Sequence, residues 1–104
     1  MTHGNLFDDA QPPATGERFD TLLQHRNLVV ERIVSRQADP STTYVQVQDE
    51  WVLLVRGRAT LEVDGLPREL RAGDYVFLTA QTPHRVLRTS EGALWLAVHL
   101  HPAA

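Results

Sequence analysis

The chain is a succession of short apolar segments separated by turn-forming residues, and this pattern predicts β-strands. The segments FDTLLQHR and NLVVERIVSR are rich in branched apolar side chains, and together they predict a pair of strands. Within the second segment, Val29, Glu31 and Ile33 fall on one face of an extended chain because side chains alternate along a strand.

The same pattern continues after the break at ADPST, where Pro40 cannot donate to a strand ladder. Strands are predicted in TYVQVQ, EWVLLVRG, RATLEV, LPREL, YVFLT, HRVLRT and ALWLAVHLH. Gly57, Gly65 and Gly73 each mark a turn between them. Because short strands recur at this spacing and no segment after residue 20 has a convincing helical period, the sequence predicts an all-β sandwich or barrel.

The first part of the chain differs from the rest. Residues 1–17 contain Gly4, Pro12, Pro13 and Gly16 among polar residues, which predicts an irregular N-terminal arm rather than core. The chain has 104 residues, the size of one domain, so residues 18–104 are predicted to form a single barrel domain.

Composition removes several classes of function. The chain has no cysteine, and all ten basic residues are arginine, which excludes thiolate chemistry and lysine Schiff bases. The net charge is −3 and the arginines are scattered, so no nucleic-acid partner is predicted. No run of eighteen apolar residues and no apolar leader segment is found, which predicts no membrane partner and a cytoplasmic location.

Polar residues cluster on one predicted strand face. Tyr44, Gln46, Gln48 and Glu50 are spaced two apart, so they share a face if the strand is regular. Polar side chains inside a barrel need partners, and a metal ion or ordered water supplies them. Carboxylate and imidazole are ordinary ligands of divalent metals, whereas an amide and a phenol are weaker ones, so Glu50 is the strongest candidate of the four.

The spacing of Glu50 and Gly57 resembles the end of the first motif of the cupin superfamily, G-x5-H-x-H-x3-4-E-x6-G. With the shorter spacing, the two histidine positions fall on Tyr44 and Gln46, and the opening glycine falls on Ala38. The glutamate is therefore retained while both histidines of this motif are replaced.

The second cupin motif, G-x5-P-x-G-x2-H-x3-N, fits residues 73–88 without a change of spacing. Gly73 opens it and His84 takes the histidine position. Thr79, Gln81 and Arg88 stand in place of its proline, second glycine and asparagine. The resemblance covers roughly residues 40–100 and is closest to small stand-alone bacterial cupins of mostly unassigned function.

The resemblance implies an antiparallel jelly-roll barrel with a divalent transition metal inside it, such as zinc, nickel, manganese or iron. The metal ligands that it implies here are Gln46, Glu50 and His84, and no other cofactor-binding residue is predicted. Tyr44 is a candidate for proton transfer. His99 and His101 share one face of the last strand, and His99 adds a second imidazole if that face points inward.

Two functions are compatible with these residues, and whether the protein is an enzyme stays open. The first is a metalloenzyme acting on a small oxygen-rich or carbonyl-bearing molecule. The second is a cupin that has lost its metal and binds a small ligand without catalysis. Cupin subunits commonly pair through their N-terminal strands, so a homodimer is predicted, with residues 19–35 at its interface.

Overall fold

The structure is a computed structural model and describes residues 1–103. Within that range the chain forms eight strands and no helix, so it also contains no helix long and apolar enough to cross a membrane. The strands are β1 (Glu17–His25), β2 (Leu28–Ser35), β3 (Asp49–Arg56), β4 (Arg58–Val63), β5 (Leu66–Arg71), β6 (Tyr75–Leu78), β7 (His84–Thr89) and β8 (Ala93–Leu100).

The strands form two antiparallel sheets that enclose one main core. One sheet has five strands in the order β1-β2-β8-β3-β6, and the other has three in the order β5-β4-β7. Alternate residues of each strand point inward, where Leu54, Leu61 and Trp95 are almost fully buried. The predicted all-β jelly-roll barrel is therefore confirmed.

The predicted strand TYVQVQ is not a regular strand. Only Tyr44 pairs, through two backbone hydrogen bonds with His84. The ladder ends there because the next backbone donor, the amide of Thr82, is used within a turn and donates to the carbonyl of Thr79 (3.2 Å). The amide of Gln81 bonds the Gln46 carbonyl instead (2.7 Å), which leaves Gln46 in an irregular segment.

The N-terminal arm is irregular, as predicted, but the expectation that it lies apart from the core is wrong. Ala10 is only 7% exposed and packs in a second buried cluster with Val34 and Leu94. Arg32 holds the arm because one of its guanidinium nitrogens donates to the carbonyls of Leu6 (3.0 Å) and Asp8 (2.6 Å). No sequence pattern indicates this contact, since an arginine side chain that binds backbone carbonyls places no constraint on the residue types it binds.

Replacement of Arg32 by alanine is expected to release the arm. The change removes both arm contacts and leaves Asp20 without its ion pair to Arg32 (3.0 Å), at a cost of about 2 kcal/mol in unfolding free energy. Hydrogen exchange should become faster at the amides of residues 5–11. The exposed Arg68→Ala is the control; equal exchange in both variants would contradict this role of Arg32.

The outer face of the five-stranded sheet carries a row of apolar side chains from all five strands. Pairing register places them side by side, in the order Phe77, Trp51, Val98, Val30 and Leu23. Phe77 and Leu23, at the two ends of the row, are exposed. This face lies on the opposite side of the sheet from the cavity described below. The predicted homodimer stays a prediction, and two residues of this row, Leu23 and Val30, lie within the segment 19–35 that is predicted for its interface.

Candidate metal and ligand cavity

One cavity opens between the two sheets, with a volume of about 90 Å³. Most of its exposed wall surface is apolar, and residues from both sheets contribute to it. The apolar lining residues are Phe19, Ile33, Val52, Leu61, Leu78, Val86 and Trp95. Its polar lining residues are Glu17, Glu31, Tyr44, Gln46, Glu50, His84 and His99. The cavity is thus a largely apolar space that contains carboxylates and imidazoles.

Strand pairing brings three of these polar residues together. Glu50 on β3 lies directly opposite His99 on β8 in the antiparallel register, so both side chains point to the same face. His84 begins β7 in the facing sheet. All three are buried, with exposures of 7% for Glu50 and 8% for each histidine. The structure therefore places His84 and His99 in the barrel interior rather than at solvated strand ends.

The His84 ring is oriented by the backbone beside it. Its Nδ1 lies 3.1 Å from the carbonyl oxygen of Thr82. A carbonyl can only accept, so Nδ1 carries the proton and the lone pair of the neutral ring is on Nε2. Nε2 lies 3.8 Å from Oε1 of Glu50, which places this lone pair toward the carboxylate.

The His99 ring is oriented by a second carboxylate. Its Nε2 lies 3.3 Å from Oε1 of Glu31, and its Nδ1 lies 3.3 Å from the amide nitrogen of Gln48 and 3.9 Å from Oε1 of Glu50. The hydrogen bond to Glu31 raises the pKa of His99; burial opposes this rise and the charges of Glu50 and Glu31 add to it. With Nε2 donating to Glu31, the Nδ1 lone pair of the neutral ring points toward Gln48 and Glu50.

The Glu50 carboxylate lies close to both imidazole rings. Burial raises the pKa of its carboxyl group, and the nearby His99 and His84 act in the opposite direction. Glu31 adds to the rise, while a hydrogen bond from Gln46 opposes it. A carboxylate in such surroundings gains most from a bound cation, because the cation offsets the cost of desolvating the negative charge.

Tyr44 and Gln46 line the cavity at its mouth. The Tyr44 ring stacks on the His84 ring, with centroids 5.6 Å apart and planes 22° from parallel, and it is 38% exposed. Burial and the neighbouring carboxylates raise the pKa of the Tyr44 phenol, first among them Glu17. The phenol therefore stays protonated at neutral pH, so its hydroxyl group can donate a hydrogen bond.

Two carboxylates of the cavity, Glu31 and Glu17, were not among the residues predicted from the sequence. Glu31 was detectable in principle, because it is a charged residue on the same face as Val29 and Ile33 in an apolar strand. Glu17 left no such signal, since it lies at the boundary between arm and barrel. The Glu17 carboxylate accepts a hydrogen bond from the Ser35 hydroxyl group (2.5 Å). The same hydroxyl oxygen accepts a hydrogen bond from the Trp95 indole nitrogen (3.3 Å).

The carboxylate oxygen of Glu50 and the imidazole nitrogens of His84 and His99 are chemically suitable ligands for a divalent metal, but in the structure they lie too far apart to bind one ion. Ligands about 2.1 Å from a tetrahedral ion lie about 3.4 Å from one another. The two nitrogens here are 3.8 and 3.9 Å from Oε1 of Glu50, so side chains must move inward by about half an ångström. Accordingly, no group of three or more His, Cys, Asp or Glu residues within residues 1–103 has the spacing of a formed metal site.

The fold agrees with a comparison to protein families. The sequence profile of the cupin domain matches residues 36–99, which is more than half of the chain. The protein therefore belongs to the cupin family, and the resemblance seen in the two motifs is confirmed. Among proteins of curated function, none matches the chain.

Solved structures give the same fold. A putative mannose-6-phosphate isomerase from Ralstonia eutropha JMP134 is 42% identical, with a TM-score of 0.88, and the match covers 96% of this chain and 98% of that one. A protein from Thermus thermophilus is 20% identical, with a TM-score of 0.85 and coverage of 98% and 100%. A salicylate 1,2-dioxygenase from Pseudaminobacter salicylatoxidans is 14% identical, with a TM-score of 0.74, and the match covers 86% of this chain but 27% of that one.

Proposed function

We propose that the protein binds one divalent transition metal with Glu50, His84 and His99, assisted by Gln46, and acts on a small molecule in the cavity. The observation that carries the proposal is the position of two imidazole nitrogens within 3.9 Å of one buried carboxylate oxygen. Two histidines and one carboxylate form a common ligand set for first-row metals that leaves positions open for water or substrate. Zinc, nickel, manganese and iron(II) are the candidate ions.

The residues around these ligands have defined parts in the proposed site. Glu31 and the Thr82 carbonyl each accept a hydrogen bond from one imidazole, and such contacts fix the ring that a metal would bind. Tyr44, at the mouth, can donate a hydrogen bond from its protonated phenol to a bound molecule. A metal in this position would supply acidity to a bound water and would polarise a carbonyl group.

The relatives support an enzymatic role without fixing a reaction. The Ralstonia protein carries the name of an isomerase and the Pseudaminobacter protein that of a dioxygenase. Isomerisation and dioxygenation are different reactions, so the shared fold does not select one of them. The cytoplasmic location predicted from the sequence likewise remains a prediction.

A second candidate function is the binding of a small ligand without metal or catalysis. It is favoured by the two positions of the first motif at which Tyr44 and Gln46 replace histidines. It is also favoured by the separation of the donor atoms, which exceeds that of a formed metal site. In this case the hydrogen-bonding groups of the cavity would orient the ligand, and the carboxylates would determine its charge.

Metal analysis of protein purified without a histidine tag separates the two functions. The expected result is one metal ion per chain in the wild type and in the control His25→Ala, which changes an exposed histidine outside the cavity. Glu50→Ala and His84→Ala should each lose the metal, because each removes a ligand. A folded wild type that contains no metal and takes up none of the four candidate ions would contradict the proposal. A co-purified small molecule in a native mass spectrum of that protein would then support the second function.

A further inference from the structure

We infer that the ligand of this cavity is a small molecule without negative charge, with a short apolar body and one polar group directed toward Glu50. Phosphorylated sugars are excluded from the class. The inference rests on the proposed function of the same cavity and specifies what it binds. It follows from the charge of the lining, from the place of the arginines, and from the size and polarity of the walls.

The charge of the lining disfavours anions. Three carboxylates face the cavity, from Glu17, Glu31 and Glu50. Among the lining residues the only basic side chains are the imidazoles of His84 and His99, and His99 is already hydrogen-bonded to Glu31. In the metal-free cavity an anionic ligand would therefore meet carboxylates without an arginine or lysine partner, and in a partly desolvated space one unit of charge has a substantial effect on affinity.

Phosphate recognition depends on groups that this cavity does not present. Proteins usually bind phosphate through arginine, lysine or clustered backbone amides. All basic residues of this chain are arginine, and none of those in residues 1–103 lines the cavity. Three that are adjacent in sequence to lining residues are engaged elsewhere. Arg18 and Arg32 both bind Asp20 and carbonyl groups of the N-terminal arm, and Arg85 pairs with Glu62 (2.9 Å).

Size and polarity restrict the ligand further. A cavity of about 90 Å³ is smaller than the engineered protein cavity of about 150 Å³ that binds one benzene molecule. Most of the exposed wall surface is apolar, so a sugar would have hydroxyl groups that lose their water without gaining a partner. A few carbon atoms with one carbonyl or hydroxyl group match both the space and the polar end of the cavity.

The test compares two probes of the same shape and different charge, propionamide and propionate. Trp95 lines the cavity and the only other tryptophan, Trp51, packs on Tyr75 at the outer sheet face. In the Trp51→Phe variant, Trp95 fluorescence therefore reports binding in the cavity. Titrations of the metal-free protein in chelator should show saturable binding of propionamide, with propionate weaker by at least about tenfold.

A charge variant tests the cause of the preference. Glu17→Gln removes one carboxylate from the mouth, and it should reduce the difference in affinity between the two probes. Propionate binding as tight as propionamide, no binding of propionamide, or an unchanged ratio in Glu17→Gln would each overturn the inference. Because the titrations are made on metal-free protein, a protein that binds no metal but prefers propionamide contradicts only the proposed metal site. A protein that binds metal and prefers propionate contradicts only the ligand class.

Discussion

Replacement of Gly57 by alanine is expected to lower the free energy of unfolding by about 2–5 kcal/mol. Gly57 joins β3 to β4, where the chain passes from one sheet to the other, and it has a φ of +93°. A Cβ atom there would lie 2.6 Å from the Ser90 hydroxyl oxygen and 3.0 Å from the Ala93 Cα. The backbone conformation and the close approach thus both oppose a side chain.

Gly73→Ala is the matched control for this effect. Gly73 has nearly the same φ, +97°, but a Cβ built there meets no atom within 4 Å. It should therefore cost only the backbone strain, about 1–2 kcal/mol. Chemical denaturation of both variants measures the difference, and equal losses would show that close packing at Gly57 contributes nothing.

Replacement of Glu50 by glutamine is expected to have opposite effects on metal binding and on stability. Metal affinity should fall by at least about 100-fold. Loss of a group that only orients a metal ligand already lowers affinity by about 10- to 100-fold, and this change removes a charged ligand itself. In the presence of chelator, the variant should be more stable than the wild type at neutral pH. Burial raises the pKa of Glu50 in the folded protein, so the ionised carboxylate destabilises the metal-free fold.

The pH dependence of stability separates this cause from a change in packing. A carboxyl group with a raised pKa binds its proton more tightly in the folded than in the unfolded state. Its effect on stability therefore becomes less favourable as the pH rises from its unfolded-state pKa through its folded-state pKa. The advantage of Glu50→Gln over the wild type should therefore grow from acid to neutral pH. Glu69→Gln, at an exposed position, should show neither effect. An advantage that is independent of pH would contradict the role given to the Glu50 charge.

Most of the fold could be predicted from the sequence because its signals are local. Alternating apolar residues identified the strands, and glycines at left-handed turns, such as Gly57 and Gly73, separated them. The exception was TYVQVQ, whose alternation is that of a strand but whose pairing stops at Tyr44 because the turn at Thr79–Thr82 uses the next donor. Pairing of this kind depends on the conformation of a distant segment, which a local pattern does not contain.

The candidate site could be predicted only in part for a related reason. The motif spacing identified Glu50 and His84, and the alternation along β8 made His99 a candidate; all three line the cavity. The contact of Glu31 with His99 was not predicted, because it depends on the pairing of β2 with β8, which are far apart in sequence. Glu17 was not predicted because it lies at the boundary between the arm and β1. Whether Glu50, Gln46 and His84 bind a metal depends on side-chain movements of about half an ångström, and residue spacing carries no information at that scale.

Diffraction from crystals grown with manganese or zinc, with data collected at the absorption edge of the metal, would locate the ion itself. We expect one anomalous peak in the cavity, about 2.0–2.2 Å from Oε1 of Glu50, Nε2 of His84 and Nδ1 of His99. The peak should be absent from crystals of Glu50→Gln prepared in the same way. A cavity without a peak in the wild type, or a metal bound only at surface histidines, would refute a metal site in this barrel.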